Sequence, residues 1–181
     1  MSPRASDLRT MLDRLGRLTA ADHWQGTLNP AQAAALEYLA RANRFSRAPS
    51  HVADYLGATR GTVSQTLKAL ERKGLIAAER SPQDRRSLRY DLTPEGHGLT
   101  ESMNTVEAAL DGLSEADRTA LDQGLRASLR AMLEARGGRS FGICGLCRYH
   151  DVRGSGRHCT LMDVALAAPE AAQICHEQEP V

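Results

Sequence analysis

Residues 59–76 carry the sequence TRGTVSQTLKALERKGLI, and this stretch decides the fold of the central part of the chain. Val63, Leu67 and Leu70 recur at the spacing of one helical face. Thr59 is a favourable N-cap, and Gly74 is typical of the glycine that follows a last helical turn. The sequence therefore predicts a helix from Thr59 to Lys73 with one buried face. Its outer face is left to polar residues: Arg60, Thr62, Ser64, Gln65 and Lys68.

Two further helices are predicted upstream of this stretch. Asn29-Pro30 offers a capping side chain followed by proline at the first helical position. The buried stripe of that helix is expected to consist of Leu36, Leu39 and Ala40. A third, short helix is expected to open at Pro49-Ser50 and to end at Gly57.

Downstream of the central helix the hydrophobic period changes. Residues 75–80 and 87–92 are strand-like, and the polar, proline-containing segment 81–86 between them is typical of a hairpin tip. A helix, a turn, a second helix and a basic hairpin together make a winged helix-turn-helix. The predicted fold class is thus mainly α with a small β-hairpin wing.

Amphipathic helices are predicted on both sides of this unit. The first carries Leu8, Met11, Leu12, Leu15 and Leu18 on one face and is closed by Trp24 and Gly26. Thr93-Pro94-Glu95 starts the next, whose apolar face holds Leu99, Met103, Val106, Leu110 and Leu113. Ser114-Glu115 starts the last, with Leu121, Leu125, Leu129, Met132 and Leu133, and residues 136–138 stop it.

These elements divide the chain into four predicted parts. They are a dimerisation helix (1–28), the winged unit (29–92), two dimerisation helices (93–136) and a cysteine-rich tail (137–181). A winged unit of this size is too small to cover apolar helices at both of its ends, so we expect a homodimer. Two copies also provide two DNA-reading heads, as half-sites about one helical turn apart require.

Charge is segregated along the chain although the net charge is only +1. Between Arg44 and Leu92 there are 10 Lys and Arg against 5 Asp and Glu, which leaves 13 basic and 17 acidic residues elsewhere. No apolar run is long enough to span a bilayer and no signal peptide is recognisable, so a cytoplasmic protein without a membrane partner is expected. No catalytic constellation emerges, and we expect no enzyme.

Four segments in order resemble the signatures of MarR-family transcriptional regulators. They are residues 28–39 (LNPAQAAALEYL), 59–76, 84–87 (DRRS) and 92–96 (LTPEG). The resemblance covers residues 8 to 135. It implies a homodimer that binds palindromic double-stranded DNA operators, usually as a repressor controlled by a ligand or by redox state.

Specific DNA contacts follow from this interpretation. Arg60 and Gln65 have the side chains that bind guanine and adenine in bidentate fashion, whereas Ser64 and Lys68 suit phosphate contacts. The family resemblance implies that Arg85 or Arg86 enters the minor groove, with Asp84 holding a neighbouring arginine. Duplex DNA is the expected partner because the chain has only 7 aromatic residues with which to stack single-stranded bases.

All four cysteines lie in the tail: Cys144, Cys147, Cys159 and Cys175. A tail of this size usually needs a metal, a disulfide or a partner to stay folded. In a cytoplasmic protein this clustering favours a metal centre over disulfides. The thioredoxin-type alternative for Cys144-Gly-Leu-Cys147 lacks the βαβ frame that such a site needs.

The identity of the metal is the open choice. The spacing pattern, one close pair of cysteines followed by two solitary ones, resembles that of high-potential iron-sulfur proteins and of accessory subunits of glycyl-radical enzymes. We therefore favour [4Fe-4S], with [2Fe-2S] as another cluster and zinc as the alternative metal. His150 is the freest histidine to replace a thiolate, whereas His158 and His176 adjoin cysteines and are expected to point away from the metal.

The favoured hypothesis is a MarR-type regulator whose four-cysteine centre senses redox or iron status. One alternative is a ligand-responsive repressor with purely structural zinc, and another is a redox or accessory protein that uses the cluster. We expect residues 8 to 135 to carry their own core. The centre is expected near the end of the last helix, with coupling to DNA through the separation of the two winged units.

Overall fold

A computed structural model of the protein describes residues 3–23, 28–80, 88–101, 105–138, 141–154 and 156–181. Within these ranges the chain is mainly helical with small antiparallel hairpins, which confirms the predicted fold class. The helices are α1 (Ala5–His23), α2 (Pro30–Arg41), α3 (Pro49–Leu56), α4 (Arg60–Arg72), α5 (Pro94–Glu101), α6 (Thr105–Asp111) and α7 (Glu115–Arg136).

The helix ends lie where the capping residues predict them. The Asn29 side chain accepts a hydrogen bond from the Gln32 backbone N–H at 2.9 Å at the start of α2. Thr59 accepts from the Thr62 backbone N–H at 3.2 Å at the start of α4. Gly57 takes a left-handed φ of 60° after α3, which a residue with a side chain adopts only at a cost.

The wing consists of β1 (Ile76–Arg80) and β2 (Leu88–Leu92), which pair antiparallel with Ile76 opposite Leu92. It packs with α2, α3 and α4 around one hydrophobic core. The buried side chains of that core include Leu36, Tyr38, Leu39, Val52, Val63, Leu67, Leu70, Ile76 and Tyr90. The apolar stripes predicted for α2 and α4 face this core, except that Ala40 is only half-buried.

The outer helices leave their apolar faces exposed in the single chain. Leu12, Leu15 and Leu18 of α1 are each about half exposed, and so are Leu129 and Met132 of α7. The stretch predicted to be helical from residue 94 onward forms α5 before residues 102–104 and α6 after them. Several predicted features lie outside the described residues: Trp24, Gly26, Met103, the whole hairpin tip at 81–86, and residue 87 of the second strand-like run. No helix in the described ranges is long and apolar enough to cross a bilayer.

The tail folds into short strands and two 3-10 turns. The strands are β3 (Gly142–Ile143), β4 (His150–Arg153), β5 (Gly156–Cys159), β6 (Val164–Leu166) and β7 (Ile174–Cys175). β3 pairs with β7, and β4, β5 and β6 form a second antiparallel sheet in that order. The turns span Cys144–Leu146 and Ala168–Ala172.

The tail and the winged unit share a core. Ile174 is buried among the core residues of α2, α3 and α4, and Phe141 and Ile143 pack against the same cluster. The rings of Tyr38 and Phe141 meet edge to face, 6.1 Å apart. Of the 16 buried residues of this cluster, 15 lie within residues 8 to 135, so the winged unit supplies most of its own core, and the tail adds Ile174 to it. The four domain ranges stay a prediction.

Candidate nucleic-acid interface and cysteine-rich tail

Helix α4 presents the outer face that its sequence predicts. Arg60, Thr62, Gln65 and Lys68 are exposed, and Ser64 is half-buried. The opposite face is buried in the core through Val63, Leu67 and Leu70. The Thr62 hydroxyl lies 2.9 Å from the Thr59 hydroxyl and so takes part in the helix cap. Of the predicted contact residues, Arg60, Gln65 and Lys68 thus have side chains available for an external partner.

The stem of the wing is anchored on two sides. Arg89 and Glu79 stand opposite each other on the two strands and form an ion pair of 2.8 Å. Asp91 of β2 pairs with Arg47, which precedes α3. Asp84, Arg85 and Arg86, the predicted tip contacts, lie outside the described residues, so their role remains a prediction.

The fold of the tail brings Cys144 and the other three cysteines into one small unit. Cys144 and Cys147 begin and follow the first 3-10 turn, and the Cys147 backbone N–H donates to the Cys144 carbonyl at 3.1 Å. Cys175 lies on β7 opposite Gly142, and Cys159 lies on β5 opposite His150. All four are free thiols, and all but Cys159 are buried.

The pKa of the Cys144 thiol also depends on the other three cysteines. Burial and, to a smaller extent, negative charge on Cys175, Cys159 and Cys147 together raise the pKa of the Cys144 thiol to about 11. A buried thiolate among other thiolates is unfavourable unless a cation accompanies it. A metal bound here would supply that cation and hold these thiols in their deprotonated form.

The described side chains of the tail are not arranged as a set of metal ligands. Among the side chains that the structure describes, no group of three or more His, Cys, Asp or Glu is arranged to hold a metal ion. The predicted set of Cys144, Cys147, Cys159 and Cys175 is thus brought into one small unit without being placed as ligands. The centre and its metal stay predictions.

Gly145, between the close pair of cysteines, is required by packing. A Cβ atom at this position would lie 2.8 Å from the backbone oxygen of Ala171 in the second 3-10 turn. The two turns therefore touch through backbone at the point where the first one carries Cys144. Sequence spacing shows the cysteine pair but does not show this contact.

Of the three histidines near the cysteines, His150 is the one beside a thiol. Its Nδ1 lies 3.6 Å from Cys144 Sγ, and its Nε2 lies 3.4 Å from Arg157 Nη1. Because a guanidinium only donates, Nε2 accepts and Nδ1 carries the proton that faces the sulfur. His158 is directed to Asp163, with 2.9 Å between Nε2 and Oδ1.

His176 points into the winged unit. Its ring stacks on that of His51 in α3, with centroids 3.5 Å apart. Its backbone N–H donates to the Ser46 hydroxyl at 2.9 Å. The sequence predicts that this histidine turns away from the cysteines but gives no sign of what it contacts.

Comparison with known proteins identifies the central part of the chain. Residues 27–87 match the family model described as the MarR family. This segment is similar to the MarR family. The match ends before the cysteine-rich tail begins and covers about a third of the chain.

Relatives with this winged helix are regulators. The chain is 36% identical over 74 residues to the organic hydroperoxide resistance transcriptional regulator of Bacillus subtilis, a stretch that covers 41% of this chain and 50% of that protein. The chain thus spans half the length of this curated relative. It also resembles Streptococcus pneumoniae FabT in complex with DNA, with 26% identity, a TM-score of 0.55, and coverage of 71% of this chain and 93% of FabT.

The fold is shared with a further DNA complex. The S. aureus MepR–DNA complex superposes with a TM-score of 0.57 at 23% identity, covering 73% of this chain and 99% of that one. At this identity the likeness concerns the fold alone. Because 73% of the chain is covered, the shared fold extends beyond the winged unit.

Proposed function

We propose that the protein is a sequence-specific, double-stranded DNA-binding transcriptional regulator, a repressor of the MarR type that acts in the cytoplasm. The observation that carries this proposal is the outer face of α4. Arg60, Gln65 and Lys68 are exposed there while the opposite face is locked in the core. A helix held in this way, followed by an anchored wing, suits insertion into a major groove. The DNA-bound relative with 26% identity supports the same use.

The regulator is proposed to act as a homodimer on a palindromic operator. The support is the apolar surface left open on the outer helices of the single chain, which runs along α1 and α7: Leu8, Met11, Leu12, Leu15, Leu18, Leu121, Leu125, Leu129 and Met132. Contiguous exposed leucines on two long helices are typical of a surface that another chain covers. A two-fold dimer presents two copies of α4 to two half-sites.

The tail is proposed to hold an iron-sulfur cluster, [4Fe-4S] rather than [2Fe-2S], on Cys144, Cys147, Cys159 and Cys175. Such a cluster supplies reversible one-electron chemistry and a susceptibility to oxidants or to iron loss. The buried thiols around Cys144 support the donor set. Zinc on the same thiols is the competing assignment, and it makes the tail a structural element in a ligand-responsive repressor.

The test is selection of DNA by the full-length protein purified without oxygen. Duplexes bound from a randomised library are sequenced, and the enriched duplex is compared with a scrambled one by fluorescence anisotropy at fixed salt. We expect the enriched sequence to be palindromic and to bind about a thousandfold more tightly than the scrambled duplex. Equal affinity for both duplexes would contradict the proposal.

Two substitutions on α4 separate base contacts from phosphate contacts. Gln65→Ala is expected to reduce discrimination among bases by about 1–3 kcal/mol, because a bidentate amide contact is lost. Lys68→Ala is expected to weaken binding to all duplexes and to lower the slope of log affinity against log salt by about one. Anisotropy titrations over a range of salt measure both. A change in base preference for Lys68→Ala with none for Gln65→Ala would reverse the two assignments.

The wing arginines provide a second prediction. Arg85→Ala and Arg86→Ala are each expected to weaken binding of the enriched duplex without changing the thermal midpoint of the protein, since a hairpin tip contributes little to a core. Arg153→Ala, on a distant exposed strand of the tail, is the matched control. Wild-type affinity in both wing variants at the same salt would exclude the wing from the interface.

A further inference from the structure

The segment between α2 and α3, residues 42–48, is here named the corner loop. The tail docks on it through backbone. Ala42 and Ile174 form a parallel bridge, and the Asn43 backbone N–H donates to the Ile174 carbonyl at 2.9 Å. Ile174 itself is buried in the winged-helix core. The strand that carries Cys175 is therefore hydrogen bonded to the helix-turn-helix.

A buried polar network continues this contact. The Ser46 hydroxyl, which is fully buried, accepts from the His176 backbone N–H at 2.9 Å and donates to Asn43 Oδ1 at 2.7 Å. The ring of His176 also stacks on the ring of His51, which lies in the first turn of α3. Losing the tail would remove this donor from the Ser46 hydroxyl.

Side chains of the corner loop also enter the tail. Arg44 forms an ion pair of 3.1 Å with the buried carboxylate of Glu170 and donates to the Ala165 carbonyl at 2.7 Å. Phe45 packs against the small cluster made by Cys144, Leu166 and Cys175. Through this ring the loop packs against the cluster that contains two of the four proposed cysteine ligands.

The far end of the corner loop is bound to the wing. The Tyr90 backbone N–H donates to the Arg47 carbonyl at 3.1 Å, and the Arg47 guanidinium pairs with Asp91. Tyr90 and Asp91 are neighbours on β2. Phe45 packs against the cluster that contains Cys144 and Cys175, and Arg47, two residues later, contacts β2. The corner loop therefore contacts both the tail and the wing.

We propose that the corner loop couples the cysteine centre to the DNA-contacting elements within each chain. A tail held in its present packing keeps α3 and β2 in place, and a tail loosened by loss of its centre releases both. Coupling of this kind travels through contiguous packed and hydrogen-bonded contacts. This proposal rests on the proposed function and differs from the route expected from the sequence, which passes through the end of α7 and the separation of the two winged units.

The test uses hydrogen exchange on the full-length protein without DNA. Arg44→Ala removes the anchor to Glu170 and Ala165, and Phe45→Ala removes the ring that packs against the cluster of Cys144, Leu166 and Cys175. Neither substitution replaces a cysteine or a residue on the outer face of α4. Arg153→Ala is the matched control, because it also deletes an arginine from an ion pair, with Asp151, but on a tail strand that is exposed at that residue.

Both loop variants are expected to speed exchange in the peptide covering β2, residues 88–92, as well as in the tail, while the control changes neither. Both are also expected to shift affinity for the enriched duplex by roughly two- to thirtyfold. Faster exchange confined to residues 141–181, with 88–92 unchanged in both variants, would overturn the coupling. A wild-type protein that binds no duplex would refute the proposed function, and the exchange result would still decide the coupling.

Discussion

Replacing Cys144 with serine is expected to reduce the metal content of the anaerobically purified protein to background. Cys144 is the most buried of the four thiols, and negative charge on each of the other three raises its pKa. A serine hydroxyl is a hard, weakly acidic donor that does not replace a thiolate at iron or zinc. Iron, zinc and sulfide analysis with an absorption spectrum measures the loss and, in the wild type, separates an iron-sulfur cluster from zinc. Cys159→Ser is expected to behave in the same way.

The functional result expected of Cys144→Ser is altered operator affinity that no longer responds to oxidant or iron depletion. Leu166→Ala is the matched control, because it weakens the same small core without removing a thiol. It should lower stability and keep the metal. If both variants keep metal equally, Cys144 is not a ligand. If Cys144→Ser loses metal yet responds to oxidant like the wild type, the centre is structural and the sensor hypothesis fails.

Gly96→Ala is expected to destabilise the winged unit strongly, although it adds only one methyl group. A Cβ at this position would lie 2.1 Å from the backbone oxygen of Leu75, so α5 would have to move away from the start of the wing. Overpacking against a fixed backbone costs about 1–3 kcal/mol and sometimes more. Urea denaturation of the full-length protein measures the change in the free energy of unfolding.

The same helix supplies the control for that prediction. A Cβ at Gly98 would meet no atom within 4 Å. Gly98→Ala is therefore expected to raise stability by about 0.5–1 kcal/mol through helix propensity alone. Equal effects of the two substitutions would show that the close approach to Leu75 does not constrain α5.

Local signals were sufficient for the winged unit. Asn29, Thr59 and Gly57 mark helix ends by hydrogen bonding and backbone freedom that belong to the residues themselves. The spacing of Val63, Leu67 and Leu70 gave the buried side of α4 and therefore its outer face. These predictions hold because each depends on neighbours within a few positions.

The arrangement of the tail depends on contacts that no local pattern contains. Its strands are two to four residues long, too short for a hydrophobic period. Ser46 and His176 are hydrogen bonded although they lie 130 positions apart in the sequence, and neither residue type indicates a buried partner. Cysteine spacing predicted four thiols in one unit, which the fold provides, but it carried no information about Phe45 or Ile174. The sequence interpretation accordingly routes the coupling through the end of α7, and that route, like the one through the corner loop, stays a prediction.

The position of Ile174 in the winged-helix core also bears on the biosynthesis of the protein. The ribosome releases α2, α3, α4 and the wing long before it adds residue 174. Domains generally fold during synthesis in the order in which they emerge. Here the last apolar piece of the core arrives late, so a nascent chain carries an incomplete winged helix until its tail is made. Completion of this core thus waits for the tail, and a chain cut short before Ile174 is expected to be a substrate for quality control.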